Sequence, residues 1–218
     1  MMRPALATHA QVPRVSSLDD APIPSWARSV LDLGCGDGRG TLKAAGVSPT
    51  PPGTSRFVCG VDIDMGSLRA SKARAPHLQC VGACGEQLPF QDGAFDYVMS
   101  AVALPYMDLP PTLREIRRVL RPGGELWVSL HHQLFVWDHL LKSCRTLNWK
   151  DILYRTYVLV NGFGLHFTGK LFRFPLKRRR IESGQTRRGI RLALQSAGFT
   201  NVVMCQGGER FIITARRT

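Results

Sequence analysis

Residues 29–40 read Ser-Val-Leu-Asp-Leu-Gly-Cys-Gly-Asp-Gly-Arg-Gly, and this stretch decides the fold. Ser29 to Leu33 is a short apolar strand broken only by Asp32, and it runs straight into glycines at every second position from Gly34 to Gly40. Alternate glycines let the backbone turn sharply and approach a ligand with no Cβ in the way. Thr41 to Ala45 can continue as a helix, whose first free N–H groups favour a negative group. Strand, glycine turn and helix in that order form the first crossover of an open α/β sheet, where ligands sit beyond the carboxyl ends of the strands. The dinucleotide pattern GxGxxG is not met: counted from Gly34 its third glycine falls on Arg39, and from Gly36 on Thr41.

The same rhythm extends outward. Arg56 to Asp62 reads as a second buried strand, Gly66 to Ala75 as a polar helix and Leu78 to Ala83 as a third strand. Phe95 to Leu104 is apolar almost throughout, as a central parallel strand covered on both faces should be. Thr112 to Leu120 sets Leu113, Ile116, Val119 and Leu120 on one helical stripe, and Arg121-Pro-Gly-Gly124 stops it. Glu125 to Leu130 is strand five. Thr186 to Ala197 reads as a helix, and Thr200 to Cys205 with Arg210 to Ala215 as two strands joined at Gly207-Gly208. The expected class is α/β: a Rossmann-like, doubly wound sheet of seven strands, mostly parallel, with one antiparallel strand in a C-terminal hairpin. Residues 1–28, with Pro4, Pro13, Pro22 and Pro24, read as an arm or cap. Residues 29–218 are expected to form one domain, in which 131–183 are an aromatic, basic insert with helical signals at Val136–Cys144 and Trp149–Val160, expected to fold over the ligand site as a substrate cap.

Composition is ordinary for a globular chain of 218 residues, 44% hydrophobic and 21% charged. No apolar run approaches the ~20 residues of a membrane-spanning helix, and the N-terminus has no continuous apolar core of a secretory signal. Six scattered cysteines without a CxxC pair suggest reduced thiols, no zinc site and a cytoplasmic protein. The net charge of +13 is unevenly spread. Residues 1–130 carry 13 Lys and Arg against 12 Asp and Glu, whereas residues 131–218 carry 16 against 4. That asymmetry points to an anionic partner or surface on the C-terminal side.

Four ordered stretches resemble the class I S-adenosylmethionine-dependent methyltransferases, and in particular their type-11 branch. Val30 to Arg39 looks like the family's acid-then-GxGxG motif. Gly60-Val-Asp-Ile-Asp64 resembles the end of its second strand. Gly85-Glu-Gln-Leu-Pro-Phe90 followed by Asp92 to Val98 is similar to its approach to strand four. Leu113 to Gly124 is similar to its helix and turn before strand five. The resemblance covers about Ser29 to Leu130 and implies S-adenosyl-L-methionine as cofactor.

It also implies roles. Asp62, 28 residues after Gly34, would accept both ribose hydroxyls, with Asp64 in reserve. Asp32 would orient the methionine amino group. Gly34, Cys35, Gly36 and Gly38 would lie under the methionine and ribose portions, Ile63 beside the adenine, and Cys84, Gly85 and Glu86 along the adenine edge. Many relatives place Asp where this chain has Cys84; a thiol accepts poorly, so adenine recognition falls to backbone groups.

Ser100 to Tyr106 lies where the methyl group should face its acceptor. Amino-methylating DNA enzymes of the superfamily hold the amine there with Asn or Asp, and Ala103-Leu-Pro-Tyr106 supplies neither. Methyl transfer from a sulfonium needs mostly positioning and exclusion of water. A general base is required only if the acceptor must lose a proton. His131 and His132 at the strand-five exit, with Tyr106, are the catalytic candidates, and each has an ordinary structural role as its alternative. His139 and His166 lie in the insert, and no histidine has the neighbours of a metal site.

The expected function is methyl transfer to a small or lipophilic acceptor. The insert's aromatic residues suit either an apolar acceptor pocket or a satellite core. The basic segment 170–191, which includes Lys177 to Arg180, suits nucleic acid as second choice, a peripheral anionic membrane contact, or a solvated face. The alternatives are an RNA methyltransferase, a non-catalytic cofactor-binding relative and, more distantly, a nicotinamide dehydrogenase. Nothing in the sequence fixes an oligomeric state.

Overall fold

The computed structural model describes residues 21–46, 56–131, 134–169, 171–172, 181–207 and 210–218. Seven strands form one sheet: β1 (Ser29–Leu33), β2 (Phe57–Asp62), β3 (Gln79–Gly82), β4 (Phe95–Ala101), β5 (Leu120–His131), β6 (Phe199–Gly207) and β7 (Arg210–Arg217). Their order is β3-β2-β1-β4-β5-β7-β6. The pairs among β1 to β5 are parallel, and β7 runs antiparallel to both β5 and β6. This is the expected sheet, with its reversal of strand order between β1 and β4, the place where such folds bind ligands.

Among the described residues, six α-helices accompany the strands: α1 (Arg39–Gly46), α2 (Met65–Arg74), α3 (Leu109–Val119), α4 (Leu134–Arg145), α5 (Trp149–Thr168) and α6 (Arg187–Ser196). Strand side chains alternate between faces. Leu31, Val98, Leu126 and Ile213 join one core with α3 and α6, while Val30, Tyr97, Met99, Trp127 and Ile212 join a second with Ala44 of α1.

Part of the expected N-terminal arm completes that second core. Ala27 is fully buried, and Ala21 and Ile23 pack beside it. Backbone carbonyls of the segment accept from Tyr97 Oη (Pro22, 3.2 Å) and Arg56 Nε (Ala27, 2.8 Å). Residues 21–28 are therefore docked against the sheet; residues 1–20, 47–55, 132–133 (with His132), 170, 173–180 (with Lys177 to Arg180) and 208–209 lie outside the described residues.

Several boundaries move for physical reasons. α3 begins at Leu109, because Pro110 and Pro111 fall in the first helical turn, where no intrahelical donor is lost. Arg121-Pro-Gly-Gly124 ends that helix but stays in the sheet: β5 begins at Leu120, pairs with Phe95 and shifts register before Glu125. β4 ends at Ala101, because Val102 turns to φ +60°. α5 runs on to Thr168, past Gly162, where a Cβ would stand 2.7 Å from the Gly184 carbonyl oxygen.

The loop after β3 is fixed to α3. Arg118 donates to the carbonyls of Phe90 (2.7 Å) and Leu88 (2.9 Å) and to Asp92 and Glu115, while Glu115 accepts from Leu88 N–H. These hydrogen bonds hold the Glu115 carboxyl below its usual range and raise the Arg118 guanidinium further. That clamp sets where Cys84 to Glu86 stand.

Candidate functional site

The glycine turn lies across the carboxyl ends of β1 and β2. Gly34 and Cys35 both donate backbone N–H to the Val61 carbonyl, at 2.8 and 3.0 Å. Gly36 donates to Asp62 Oδ2 at 2.8 Å, and Asp64 N–H donates to Asp62 Oδ1 at 2.9 Å. Each Asp62 oxygen thus holds one backbone donor and keeps lone-pair capacity for another partner. The carboxylate is oriented before anything binds.

The three glycines divide their work. Gly34, at φ +77°, packs beneath the β4 exit: a Cβ there would stand 2.1 Å from Ala103 Cβ. Gly36, at φ +53°, has nothing within 4 Å of that position, so it opens onto free space beside Asp62. Gly38 packs against α2 and the turn leading to β3, since its Cβ would meet Ser71 Oγ at 2.1 Å and Leu78 at 3.3 Å. The missing side chain at 38, expected to make room for ligand, makes room for a helix. Cys35 is buried against Gly60. Burial, reinforced by the Asp32 charge, pushes its thiol far above the usual range, so it is not a thiolate at neutral pH.

Asp32 lies in mid-sheet, 4% exposed, and accepts a 2.8 Å hydrogen bond from Thr41 Oγ1 of α1. Burial raises its carboxyl from 3.8 to about 6; the Thr41 bond opposes the rise and the Asp62 charge adds to it. A buried carboxylate whose described partner is a neutral hydroxyl is ready to accept a cation.

The remaining expected residues separate into exposed and committed groups. Ile63 is 74% exposed beside Asp62, with Met65 also exposed, so an apolar shelf borders the Asp62 carboxylate. Asp64, the reserve acid, caps α2 instead: it accepts from Gly66 N–H, Ser67 N–H and Ser67 Oγ, which holds its carboxyl below the usual range. Glu86 accepts from Asp108 N–H at 2.8 Å and so fastens the start of α3. Ser100 is fully buried and donates to the Leu33 carbonyl at 2.9 Å, tying β4 to β1. Cys84 is half-buried and Gly85 buried, the latter with Met107 Sδ 2.7 Å from where its Cβ would be. Met107, which also reaches within 3.7 Å of the Gly34 position, was not expected in the site.

Tyr106 and His131 fall at the exits of adjacent strands. Tyr106 is exposed in a short 3-10 turn, Leu104–Tyr106, and His131 ends β5 opposite Arg210. Val102, which precedes that turn, is another unexpected residue. It is β-branched in left-handed backbone, held there by donating its N–H to the Ser129 carbonyl at 2.8 Å, a conformation that carries strain. His166 pairs with Thr186, the cap of α6, at 3.0 Å, a structural role. No group of three or more His, Cys, Asp and Glu among the described residues could hold a metal ion. All six cysteines are free thiols.

This geometry has known counterparts. Residues 31–128, a little under half of the chain, match the Methyltransf_11 family, a methyltransferase domain. The chain is 35% identical over 126 residues to a mitochondrial 2-methoxy-6-polyprenyl-1,4-benzoquinol methylase of Leishmania donovani, covering 51% of this chain and 44% of that protein. It is 37% identical over 143 residues to a malonyl-[acyl-carrier protein] O-methyltransferase of Halorhodospira halophila, covering 60% and 46%. The matched stretch thus spans less than half the length of these relatives. A solved S-adenosylmethionine-dependent methyltransferase from Mesorhizobium loti superposes with a TM-score of 0.60 at 17% identity, covering 89% of this chain and 94% of that one.

The family and fold imply S-adenosylmethionine as cofactor, and the residues present fit it. Asp62 offers a pre-oriented acceptor for vicinal hydroxyls, Ile63 and Met65 a flat apolar border, Gly36 an open approach and Asp32 a buried acceptor for an ammonium.

Proposed function

We propose that this chain catalyses methyl transfer from S-adenosylmethionine to a small, lipophilic acceptor. The observation that carries the reading is the pair of carboxylates on neighbouring strands, Asp32 and Asp62, one buried and one latched by the glycine turn. When bound, the cofactor would supply a methyl group activated by its positively charged sulfur, with the neutral thioether as the leaving group. Asp62 accepts the ribose hydroxyls, and its two backbone donors spare it reorganisation on binding. Asp32 accepts the ammonium group, which draws its proton off and holds the ionised form. Gly36 leaves the approach clear, while Ile63 and Met65 cover the base and exclude water. At the β4 and β5 exits, Tyr106 positions the acceptor, and His131 takes the proton if the acceptor is a hydroxyl.

The acceptor class is supported by two features. Ala103-Leu-Pro-Tyr106 offers no amide or carboxylate to hold an amine, and one similar protein is a polyprenyl-benzoquinol methylase. The test is isothermal titration with S-adenosylhomocysteine, followed by transfer of labelled methyl to a panel of lipophilic phenols and hydroquinones. Asp62→Ala should weaken nucleoside binding about 100-fold, the loss of two charge-assisted hydrogen bonds. Unchanged affinity in that variant, or no nucleoside binding by the parent chain, would remove the basis of the assignment.

A further inference from the structure

One face of the molecule is unexplained by methyl transfer. α5 turns Val158, Asn161, Gly162 and Leu165 inward. On its opposite side Trp149, Leu153, Val160, Phe163 and Phe167 are all exposed, at steps of four, seven, three and four residues. Helical rise of about 1.5 Å per residue makes this apolar stripe ~27 Å long, more than a site for one small molecule needs. α4 packs beside α5 and adds exposed Trp137 and Leu141. The turn between them presents Leu147, 84% exposed and at φ +50°. Among the described aromatic residues of the insert, Trp137, Trp149, Phe163, Phe167 and Phe172 are exposed, and Tyr154 and Tyr157 are half-buried. An extended apolar surface of this kind, interrupted at exposed Thr156, marks a contact with something apolar.

Charge identifies what covers it. The same hairpin carries exposed Lys142, Arg145 and Lys150, with the Lys150 ammonium 5.6 Å from the Trp149 ring centre. Its exposed acids are Asp138 and Asp151. α6 adds exposed Arg187, Arg188 and Arg191, and residues 131–218 hold 16 basic against 4 acidic residues. One of those acids, Glu182, is buried and bound by Tyr154 and Arg155. Apolar side chains bordered by cations complement the headgroups and acyl chains of an anionic bilayer. A second copy of the chain would bring like charge to like charge. RNA bases would stack on Trp137, Trp149, Phe163 and Phe167 but would leave the aliphatic Leu141, Leu147, Leu153 and Val160 between them without a complement.

We propose that the outer face of the α4–α5 hairpin docks on the surface of anionic lipid bilayers, with Leu147 and Trp149 entering the headgroup layer and Lys142, Arg145 and Lys150 at the phosphates. The docking is peripheral: no helix among the described residues is long and apolar enough to cross a membrane. It stands apart from the reaction, and a chain that transfers no methyl group would still dock.

The test is co-sedimentation of the full chain with vesicles of phosphatidylcholine alone and of phosphatidylcholine with phosphatidylglycerol, together with tryptophan emission and light scattering. The expected result is a monomer that partitions into the phosphatidylglycerol vesicles with blue-shifted emission. Replacing Phe163 and Phe167 together by Ser should reduce that partition about tenfold or more, with an unchanged melting temperature. Lys142→Glu with Arg145→Glu should weaken binding to the anionic vesicles. Absence of partition, or partition indifferent to the Phe163→Ser, Phe167→Ser change, overturns the proposal. So does a dimer that the same change converts to monomer, or a salt-dependent affinity for homopolymeric RNA without any for vesicles.

Discussion

Residues 1–130 and 131–218 share one sheet but meet solvent in different ways. The first region is nearly neutral, holds β1 to β4 and nearly all of β5, and matches the methyltransferase family over 31–128. Glycines such as Gly34 and Gly38 stand where a Cβ would clash, and carboxylates such as Asp32 and Asp62 are answered by particular donors. The second region is strongly basic, contributes two strands and three helices, and leaves large apolar side chains on its outside. Backbone geometry constrains the first region, and what lies beyond the molecule constrains the second. Substitutions in the first should therefore register as lost folding or lost nucleoside, and those on the exposed face of the second as lost partner with folding intact.

The largest effect should come from Gly34→Val. Left-handed backbone and a clash with Ala103 together should cost about 4 kcal/mol in urea unfolding. Gly36→Ala, in open space, should cost only ~1 kcal/mol while still weakening S-adenosylhomocysteine binding. Equal losses at the two positions would break the distinction between packing and approach.

Asp32→Asn should move stability the other way. The folded-state carboxyl at about 6 lies above its ordinary 3.8, so the folded protein keeps a proton that the unfolded chain gives up between those values. Asp32 therefore costs stability above pH 6, and the cost disappears as pH falls towards 4. The Asn variant should exceed the parent by up to about 3 kcal/mol at pH 8 and by almost nothing at pH 4, while binding the nucleoside less well. For the parent, nucleoside affinity should fall as pH drops below 6.

Arg118→Ala should cost about 2 kcal/mol, since it frees the Leu88 and Phe90 carbonyls and leaves Glu115 without its cation. The Phe163→Ser, Phe167→Ser pair should change unfolding free energy by less than ~0.5 kcal/mol, as exposed positions do. A large loss there would mean that the stripe belongs to the core, and the contrast between regions would fail.

The first region was the more legible in sequence because its signals are local. An apolar pentapeptide followed by alternate glycines fixes a turn, and the string from Leu113 to Gly124 encodes its own helix and stop. The committed roles were hidden, because they depend on distant partners. Nothing near Ser100 announces Leu33, nothing near Glu86 announces Asp108, and Gly38 reads like Gly36 until α2 is in place. Asp64 could have been found: an acid three residues before Ser67 at a strand-to-helix junction is a cap signal. The α5 stripe was equally present, yet its apolar positions read as core or pocket, because spacing identifies a face but not what the face meets.

The dipeptide Ser183-Gly184 donates one backbone N–H to the Pro105 carbonyl at 3.1 Å and the next to the Val158 carbonyl at 3.2 Å. It rivets the middle of the long insert helix to the loop that bears Tyr106. Sliding that helix along its axis must either drag the loop with it or shear one side of the rivet, so load applied to the hairpin reaches the β4 exit through two adjoining peptide groups.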